Sequence, residues 1–287
     1  MAIKGLTNPV FGDYIYNGNA VIYQNGFICG SAIEYSAEVE TSDDNPLYGD
    51  DRIIENDYGT FSTGTLTLNT SDMDQQTSKA LLGLKDKTVM IGSAQVTELV
   101  YDDEAKATPK GFGIIETHQI NDVDKYRALI LCKITPRPIS EAATTKGETI
   151  EWQTKELECG ISRSDEESAD YKHPWKREAW FDTHSDALEY LKTVLNVMTM
   201  IQLSSAEGTL EGETVITIQN PVAGASYKYS TTGPAPSYKQ SLSTWTEFTS
   251  GEEITATNGS TLYVAQVDEE GNAIGSGTVT VVAKAGA

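Results

Sequence analysis

The sequence contains little of what disulfide frameworks, metal sites and membrane spans require. Its three cysteines, Cys29, Cys132 and Cys159, are odd in number and widely spaced, which argues against a disulfide framework and against a zinc site. The longest wholly apolar run is about five residues, over 128–132, whereas a membrane helix needs roughly 20. We therefore expect no membrane insertion.

Basic residues are also scarce, with 21 lysines and arginines against 42 aspartates and glutamates, which gives a formal net charge of −21. Such a surface repels phosphate, and this argues against ordinary nucleic-acid binding through release of counterions. The first residues lack the apolar centre of a signal peptide, so we expect the chain to be cytoplasmic when it is made. A length of 287 residues predicts about two domains.

Catalytic motifs are missing as well. The chain contains no Gly-x-Ser-x-Gly elbow, no phosphate-binding loop and no His-Glu-x-x-His pair, and the Gly-Phe-Gly motif at 111–113 lacks the third glycine of a dinucleotide motif. The three histidines, His118, His173 and His184, are scattered, which is typical of structural residues. The prediction is a protein with no catalytic residues, no metal site and no cofactor.

The most unusual stretch is an acidic, turn-rich segment between two predicted strands, over about 41–60. It contains more apolar surface than a loop that only meets water needs, so we expect another subunit to cover it. The predicted inter-subunit residues are Leu47, Tyr48, Asp50, Asp51, Ile53, Ile54 and Tyr58. A calcium site at the aspartates is disfavoured, because leucine and tyrosine occupy positions where a calcium loop needs an oxygen ligand and glycine.

Residues 33–40 have the clearest period of two in the chain, which predicts a strand with one apolar and one acidic face. The apolar face consists of Ile33, Tyr35, Ala37 and Val39, and the acidic face of Glu34, Ser36, Glu38 and Glu40. Two interpretations of the acidic face remain open. It is either a solvated outer surface or the inner wall of an oligomer.

Two helices are predicted, one after a cap at residues 70–71 (Thr-Ser) and one after the capping-box-like Thr183-His184-Ser185-Asp186. Apolar positions on one side of each helix indicate packing on a sheet. The other predicted elements are a tight hairpin turn at Asn25-Gly26, a strand over 89–101, a central strand covered on both faces over 125–135 and a strand over 150–157.

The composition changes near residue 200, which divides the chain into predicted domains 1–200 and 201–287. Beyond this point there is no cysteine and no histidine, and short strands recur with turns between them. This spacing predicts a small immunoglobulin-like β-sandwich, although the Cys…Trp…Cys signature of true immunoglobulin domains is absent. The predicted strands cover 215–218, 227–230, 245–248, 254–256, 262–267 and 278–283.

A series of short motifs runs in order through nearly all of residues 1–200. They are Asn8-Pro9-Val10-Phe11, Leu47-Tyr48-Gly49-Asp50-Asp51, Gly64-Thr65-Leu66-Thr67-Leu68, Leu81-Leu82-Gly83, Pro109-x-Gly111-Phe112-Gly113, Tyr126-x-Ala128, Leu131-x-Lys133, Thr145-x-Gly147-Glu148-x-Ile150, Trp180-Phe181-Asp182-Thr183 and Ala187-Leu188. The series resembles the major tail (tail tube) proteins of long non-contractile-tailed, siphovirus-type bacteriophages. The resemblance implies a mainly β fold, a tail-tube β-sandwich or barrel with a flanking α-helix, followed by the immunoglobulin-like domain as an external decoration.

The same resemblance implies a structural virion protein that assembles as stacked hexameric rings into the tail tube, the conduit for DNA ejection. Its partners would be further copies of itself, a tape-measure protein, and tail initiator and terminator proteins, with genomic DNA passing without specific binding. The implied location is the virion tail, assembled in the cytoplasm of the bacterial host. In this arrangement the strand that carries Glu34, Glu38 and Glu40 is the candidate lumen-facing acidic strand, because carboxylates repel the phosphates of the passing DNA.

Aromatic side chains in the C-terminal domain indicate a second possible contact. Tyr229, Tyr238 and Trp245 are candidates for binding host surface glycans, since aromatic faces suit sugar rings, and core packing is the competing interpretation. Two other classes of protein stay open. One is a surface adhesin or carbohydrate-binding module built on the C-terminal domain, and the other is an enzyme such as a glycosidase, suggested only by the abundance of carboxylates.

Overall fold

The computed structural model describes residues 2–141, 143–145 and 152–286. The chain divides into two compact units, Met1–Leu195 and Asn196–Ala287, and each is described by itself. Both units consist mainly of strands, so the predicted mainly β class is confirmed. The start of the strand predicted over 150–157, and the end of the motif at 145–150, lie outside the described residues.

The first unit combines one large sheet, two hairpins and two helices. In chain order its elements are β1 (Ala2–Tyr16), β2 (Val21–Ile28), β3 (Ala32–Thr41), β4 (Asn45–Gly49), β5 (Arg52–Asp57), β6 (Phe61–Thr70), α1 (Gln75–Leu82), β7 (Lys85–Ile91), β8 (Ala94–Val100), β9 (Lys110–Ile120), β10 (Val123–Pro136), β11 (Lys155–Ser162), β12 (Lys176–Phe181) and α2 (His184–Leu195). The sheet has the order β2-β1-β9-β10-β11-β6-β3, and β12 also pairs with β10. The hairpins are β4–β5 and β7–β8.

The central strands β9 and β10 are covered on both faces, as predicted for 125–135. Residues 128–132 of β10 are all buried. Leu129 and Leu131 belong to the main core cluster, which also contains Leu66 and Leu68 of β6, the strand next to the β3 edge of the sheet. The sheet therefore curls around this core, although it does not close into a barrel in the described part of the chain.

The helix α1 is fixed to the core through its last turn, where Leu81 is fully buried. Its N-cap is Asp74, whose carboxylate accepts a hydrogen bond from the backbone N–H of Thr77 at 2.7 Å. Gly83 ends the helix in the left-handed conformation, with φ of 67°. The cap predicted at residues 70–71 is wrong, because β6 continues through residue 70 and the helix begins only at residue 75.

The helix α2 begins as the sequence predicts. The hydroxyl of Thr183 accepts a hydrogen bond from the backbone N–H of Asp186 at 3.1 Å and donates one to its carboxylate. The helix then packs through Ala187, Leu191 and Leu195, which are all fully buried. It covers the face of β1, β9 and β10 that lies opposite the main core cluster.

Glycines allow α2 to approach the sheet closely. A Cβ atom at Gly113 would lie 2.9 Å from side-chain carbons of both Leu191 and Leu195, and one at Gly12 would lie 2.6 Å from the carbonyl oxygen of Leu195. Between the two glycines of the motif at 111–113, Phe112 points to the opposite face and joins the main core cluster. The Gly-Phe-Gly motif is thus explained by packing.

Two predicted local features differ in the structure. The hairpin turn predicted at Asn25-Gly26 is wrong, because the chain turns at 17–20 and these two residues form a bulge in β2, with Asn25 at φ of 50°. The single strand predicted over 89–101 is two strands, β7 and β8, joined by Gly92-Ser93. Gly92 has φ of 62°, a conformation that turns require and glycine tolerates.

The second unit is a sandwich of two sheets. Its strands are β13 (Thr199–Met200), β14 (Leu203–Glu207), β15 (Glu213–Ile218), β16 (Ser226–Ser230), β17 (Thr246–Phe248), β18 (Glu253–Thr255), β19 (Thr261–Val267) and β20 (Ala273–Thr280). The orders are β13-β20-β19-β16-β17 and β14-β15-β18. Ile216 of the smaller sheet and Leu262 and Val264 of the larger one are fully buried in a shared core. Each of the six predicted strands overlaps an observed strand, although the last lies at 273–280 instead of 278–283. The two sheets around one core form a sandwich, as predicted.

Candidate functional site

The hairpin β4–β5 and the following Tyr58 form an exposed apolar surface, which we call the first arm (residues 45–58). Each of its two strands pairs only with the other among the described strands. The side chains predicted to contact another subunit are largely in solvent, with Tyr48 65% and Tyr58 73% exposed. Leu47, Ile53 and Ile54 are each more than half exposed. Exposed apolar side chains grouped in this way are typical of an interaction site.

Local hydrogen bonds and turn residues fix the geometry of the first arm. At its tip, Asp50 and Asp51 both adopt positive φ, 49° and 60°, which is the conformation of a two-residue type I′ turn. At its base, the carboxylate of Asp44 accepts a hydrogen bond from the backbone N–H of Gly59 at 2.9 Å. A Cβ atom at Gly59 would overlap the carbonyl oxygen of Ser42, so the base requires glycine. Asp50 and Asp51 therefore form the turn at the tip, and Asp44 stabilises the base.

The hairpin β7–β8 is a second exposed hairpin, which we call the second arm (residues 85–100). Its tip is apolar, with Met90 63% and Ile91 67% exposed. Its base carries Lys85 and Lys87 on one face of β7, opposite Val100 and Glu98 of β8. The second arm thus combines an apolar tip with two lysines at alternate positions on one face of its base.

The predicted acidic strand is β3, at the edge of the large sheet. Glu34, Glu38 and Glu40 lie on one face, next to the threonines and asparagine at positions 63, 65, 67 and 69 of β6, and all three glutamates are exposed. The opposite face of β3 continues the core face of the sheet, yet Val39 is 47% exposed. The edge therefore presents a charged face and an uncovered apolar face.

A buried polar cluster lies where the curled sheet brings β3 near β9. Glu116, only 1% exposed, accepts hydrogen bonds from the hydroxyl of Tyr35, from Nε2 of His118 at 2.8 Å and from Arg127 at 3.0 Å. Arg127 also pairs with Glu178 of β12. Burial alone raises the Glu116 pKa, but the bonds from Tyr35, His118 and Arg127 outweigh it, and the pKa lies below its usual range.

His118 is bonded to Glu116 through Nε2. A carboxylate can only accept, so His118 donates from Nε2. Its Nδ1 atom, like Nε of Arg127, is buried without a hydrogen-bond partner among the described residues. The ring of His118 also lies 4.8 Å from that of Trp180, measured between centroids. This cluster holds the edge strand to the centre of the sheet.

The other histidines and the cysteines occupy structural positions. His184 bonds the hydroxyl of Thr7 at 2.8 Å, and Nδ1 of His173 contacts the carbonyl oxygen of Ser164 at 3.1 Å. All three cysteines are buried and unpaired. In the described part of the chain, no group of three or more histidine, cysteine, aspartate or glutamate side chains has the arrangement of a metal site. Nor does any helix there have the length and apolar character needed to cross a membrane.

The aromatic side chains proposed for glycan contact are half-buried. Tyr229 packs against the core of the second unit and lies 6.1 Å from Phe248 between ring centroids. Trp245 packs against a smaller cluster around Leu242 and Val267. For these two side chains the contacts favour the core interpretation. Tyr238 is held through its backbone N–H, which donates to the side chain of Asn196 at 2.7 Å.

Comparison with known protein families matches part of the chain. Residues 206–284 match the family described as the S-layer protein SbsC C-terminal domain. The match lies within the second unit and covers just over a quarter of the 287 residues, so it does not place the whole chain in that family. No curated protein matches the chain.

The family match contradicts the predicted identification as a siphovirus-type major tail protein. The matched segment resembles a domain of an S-layer protein and not of a tail protein, so the predicted function as a tail-tube subunit that conducts DNA is wrong. The predicted location, a virion tail assembled in the host cytoplasm, is wrong for the same reason. The motifs behind the resemblance fall largely on strands and helix ends, and such segments recur in unrelated proteins because they specify secondary structure. The lumen-facing role predicted for Glu34, Glu38 and Glu40 depended on that tube.

Proposed function

We propose that this chain is a non-catalytic structural protein of a cell-surface layer, in which copies of the chain associate with one another. The observation that carries the proposal is the match of residues 206–284 to the C-terminal domain of an S-layer protein. The sandwich of the second unit suits such a role, because its hydrophobic core gives a compact module that needs no cofactor. The proposal extends this match to the first unit, which the match does not cover.

The first arm supports self-association. Its five exposed apolar side chains are Leu47, Tyr48, Ile53, Ile54 and Tyr58. Covering each of them contributes about 2 kcal/mol, or about 10 kcal/mol in total. Association itself costs about 4–15 kcal/mol, so one such contact gives at most weak binding. In a layer each subunit makes several contacts at once, and these contacts reinforce one another.

The hairpin is also suited to docking because its shape is set before contact. The positive φ values at Asp50 and Asp51 and the hydrogen bond between Asp44 and Gly59 fix its tip and base. A pre-formed arm loses less conformational entropy on binding than a disordered loop. The apolar residues are therefore presented on an ordered hairpin.

Two experiments test this function, one on the surface location and one on self-association. Antibodies against the protein are applied to intact cells that produce it, and the purified protein is examined by negative-stain electron microscopy. We expect surface labelling and ordered planar assemblies. Labelling only after cell lysis would contradict the surface location. A monomer at every concentration would contradict self-association, and glycan binding by that monomer would favour the adhesin class.

The non-catalytic part of the proposal is tested by an activity assay. Incubation of the purified protein with a panel of glycan substrates should release no product above the level of a heat-denatured sample. Turnover that scales with protein concentration would overturn the non-catalytic part of the proposal and favour a glycosidase.

A further inference from the structure

We propose that strand β7 of one copy adds to the free edge of strand β3 in a second copy, in antiparallel orientation. The inference rests on the proposed self-association and names the two surfaces that meet. Within the described residues, β3 pairs only with β6 and β7 pairs only with β8. Each strand therefore has one edge of unpaired backbone groups, and such edges readily accept another strand.

The β3 edge is exposed where the contact is placed. Residues 36–41 are exposed on both faces, with Val39 47% exposed although it continues the core face of the sheet. The acidic face carries Glu38 and Glu40 at alternate positions. An occupant of this edge must therefore cover apolar surface on one side and balance negative charge on the other.

A second β3 strand does not meet that requirement. Antiparallel pairing of two β3 edges would bring the glutamates of one copy against those of the other, and like charges directly opposite destabilise a strand pair. The first arm is no better matched, because acidic residues flank both its tip and its base, at Asp50, Asp51, Asp43 and Asp44.

Strand β7 has the complementary pattern. Lys85 and Lys87 lie at alternate positions on one face, and the exposed Met90 lies on the other. In an antiparallel register that sets Lys85 against Glu40, Lys87 falls against Glu38. The same register places Met90 opposite Tyr35 on the apolar face, and it sets Asp86, whose carboxylate pairs with Lys79, opposite Val39. One register thus matches the charges on the acidic face, while Met90 contributes apolar surface on the other.

The lysines can change partners at little cost. Lys87 lies 3.5 Å from Glu98, and Lys85 lies 3.2 Å from Asp102 and 3.0 Å from Glu104. Both lysine side chains are more than half exposed, and exposed pairs of this kind contribute little to stability. Because β3 and β7 are different surfaces, each copy offers one of each, and the contact propagates from copy to copy. Such propagation gives a row or a ring of copies, and a second contact, such as that of the first arm, is needed to join rows into a layer.

Charge exchange between two variants tests the contact. The first variant is Glu38→Lys with Glu40→Lys, and the second is Lys85→Glu with Lys87→Glu. Association is measured by sedimentation velocity for each variant alone and for the equimolar mixture. We expect each variant alone to associate at least tenfold more weakly than the wild type. The mixture should return to within threefold of the wild type, because every β7 then faces a β3 of opposite charge.

A matched control and the wild type separate the possible failures. The control is Glu269→Lys with Glu270→Lys, which changes the net charge as much as the first variant at two exposed sites of the second unit. It should associate like the wild type. If the wild type assembles and the mixture does not recover, the β3–β7 contact is overturned while the proposed function stands. If the wild type never associates, both are overturned.

Discussion

Tyr35 of the edge strand β3 donates a hydrogen bond to the buried carboxylate of Glu116, on β9, although the two strands are four positions apart in the sheet. This bond is possible only because the sheet curls back on itself. The same carboxylate accepts from His118 and Arg127, so one anion is held by three donors. The edge strand is therefore fastened to the centre of the first unit as well as to its neighbour β6.

Replacing Tyr35 by phenylalanine should reveal this bond through its pH dependence. The folded pKa of Glu116 is depressed, so its contribution to stability is complete above the unfolded pKa of about 4.3 and is lost as pH falls through the folded value. At pH 7 we expect Tyr35→Phe to lower the free energy of unfolding by about 2 kcal/mol. The loss should shrink below about pH 4, as measured by urea titration. Tyr48→Phe, on the exposed first arm, is the control and should change stability by under about 0.5 kcal/mol.

Glycine at position 12 should be essential to the packing of α2. Gly12→Ala places a Cβ 2.6 Å from the carbonyl oxygen of Leu195, and we expect it to destabilise the first unit by about 1–3 kcal/mol. Gly5 lies on the same strand with no atom within 4 Å of a Cβ. The free energy of unfolding of Gly5→Ala, measured by denaturant titration, should therefore lie within about 0.5 kcal/mol of that of the wild type. Equal effects at the two positions would contradict the close approach of α2.

The cysteine thiols should be inert in the folded protein. Burial raises the pKa of Cys29 to about 12 and that of Cys132 to about 11, and it also raises the pKa of Cys159. Only the thiolate reacts, so at pH 8 the folded protein should react with a thiol reagent at least about a hundredfold more slowly than a free thiol. Three thiols should react after unfolding in guanidinium. Rapid labelling of the folded chain would show that one of these sites opens to solvent.

Much of the fold could be predicted from local patterns. The alternation over 33–40, the two-faced apolar pattern of β10 and the Thr183 cap each depend on near neighbours in the chain, and each is found in the structure. The bulge at Asn25-Gly26 shows where this reasoning stops. An Asn-Gly pair favours positive φ in a turn or a bulge alike, and the pairing of β2 with β1 decides between them.

The candidate site was predictable only in part. The apolar residues of the first arm stand out because a polar loop surrounds them, and the structure exposes them. The cluster around Glu116 could not be predicted, because its members come from β3, β9, β10 and β12 and meet only when the sheet curls. The wrong identification as a tail protein has a related cause. Short strand and turn motifs report local structure, and the same motifs occur in proteins of different function.

The most direct test of the proposed self-association is the molar mass of the protein in solution when the first arm is made polar. The variant replaces Leu47, Ile53 and Ile54 by serine, and the control replaces the equally exposed Leu210, Val222 and Val282 of the second unit. Light scattering should show assemblies for the wild type and the control and a monomer for the arm variant, with all three equally stable to urea. Unchanged assemblies in the arm variant would contradict the role of the first arm, and a monomeric wild type would contradict self-association itself.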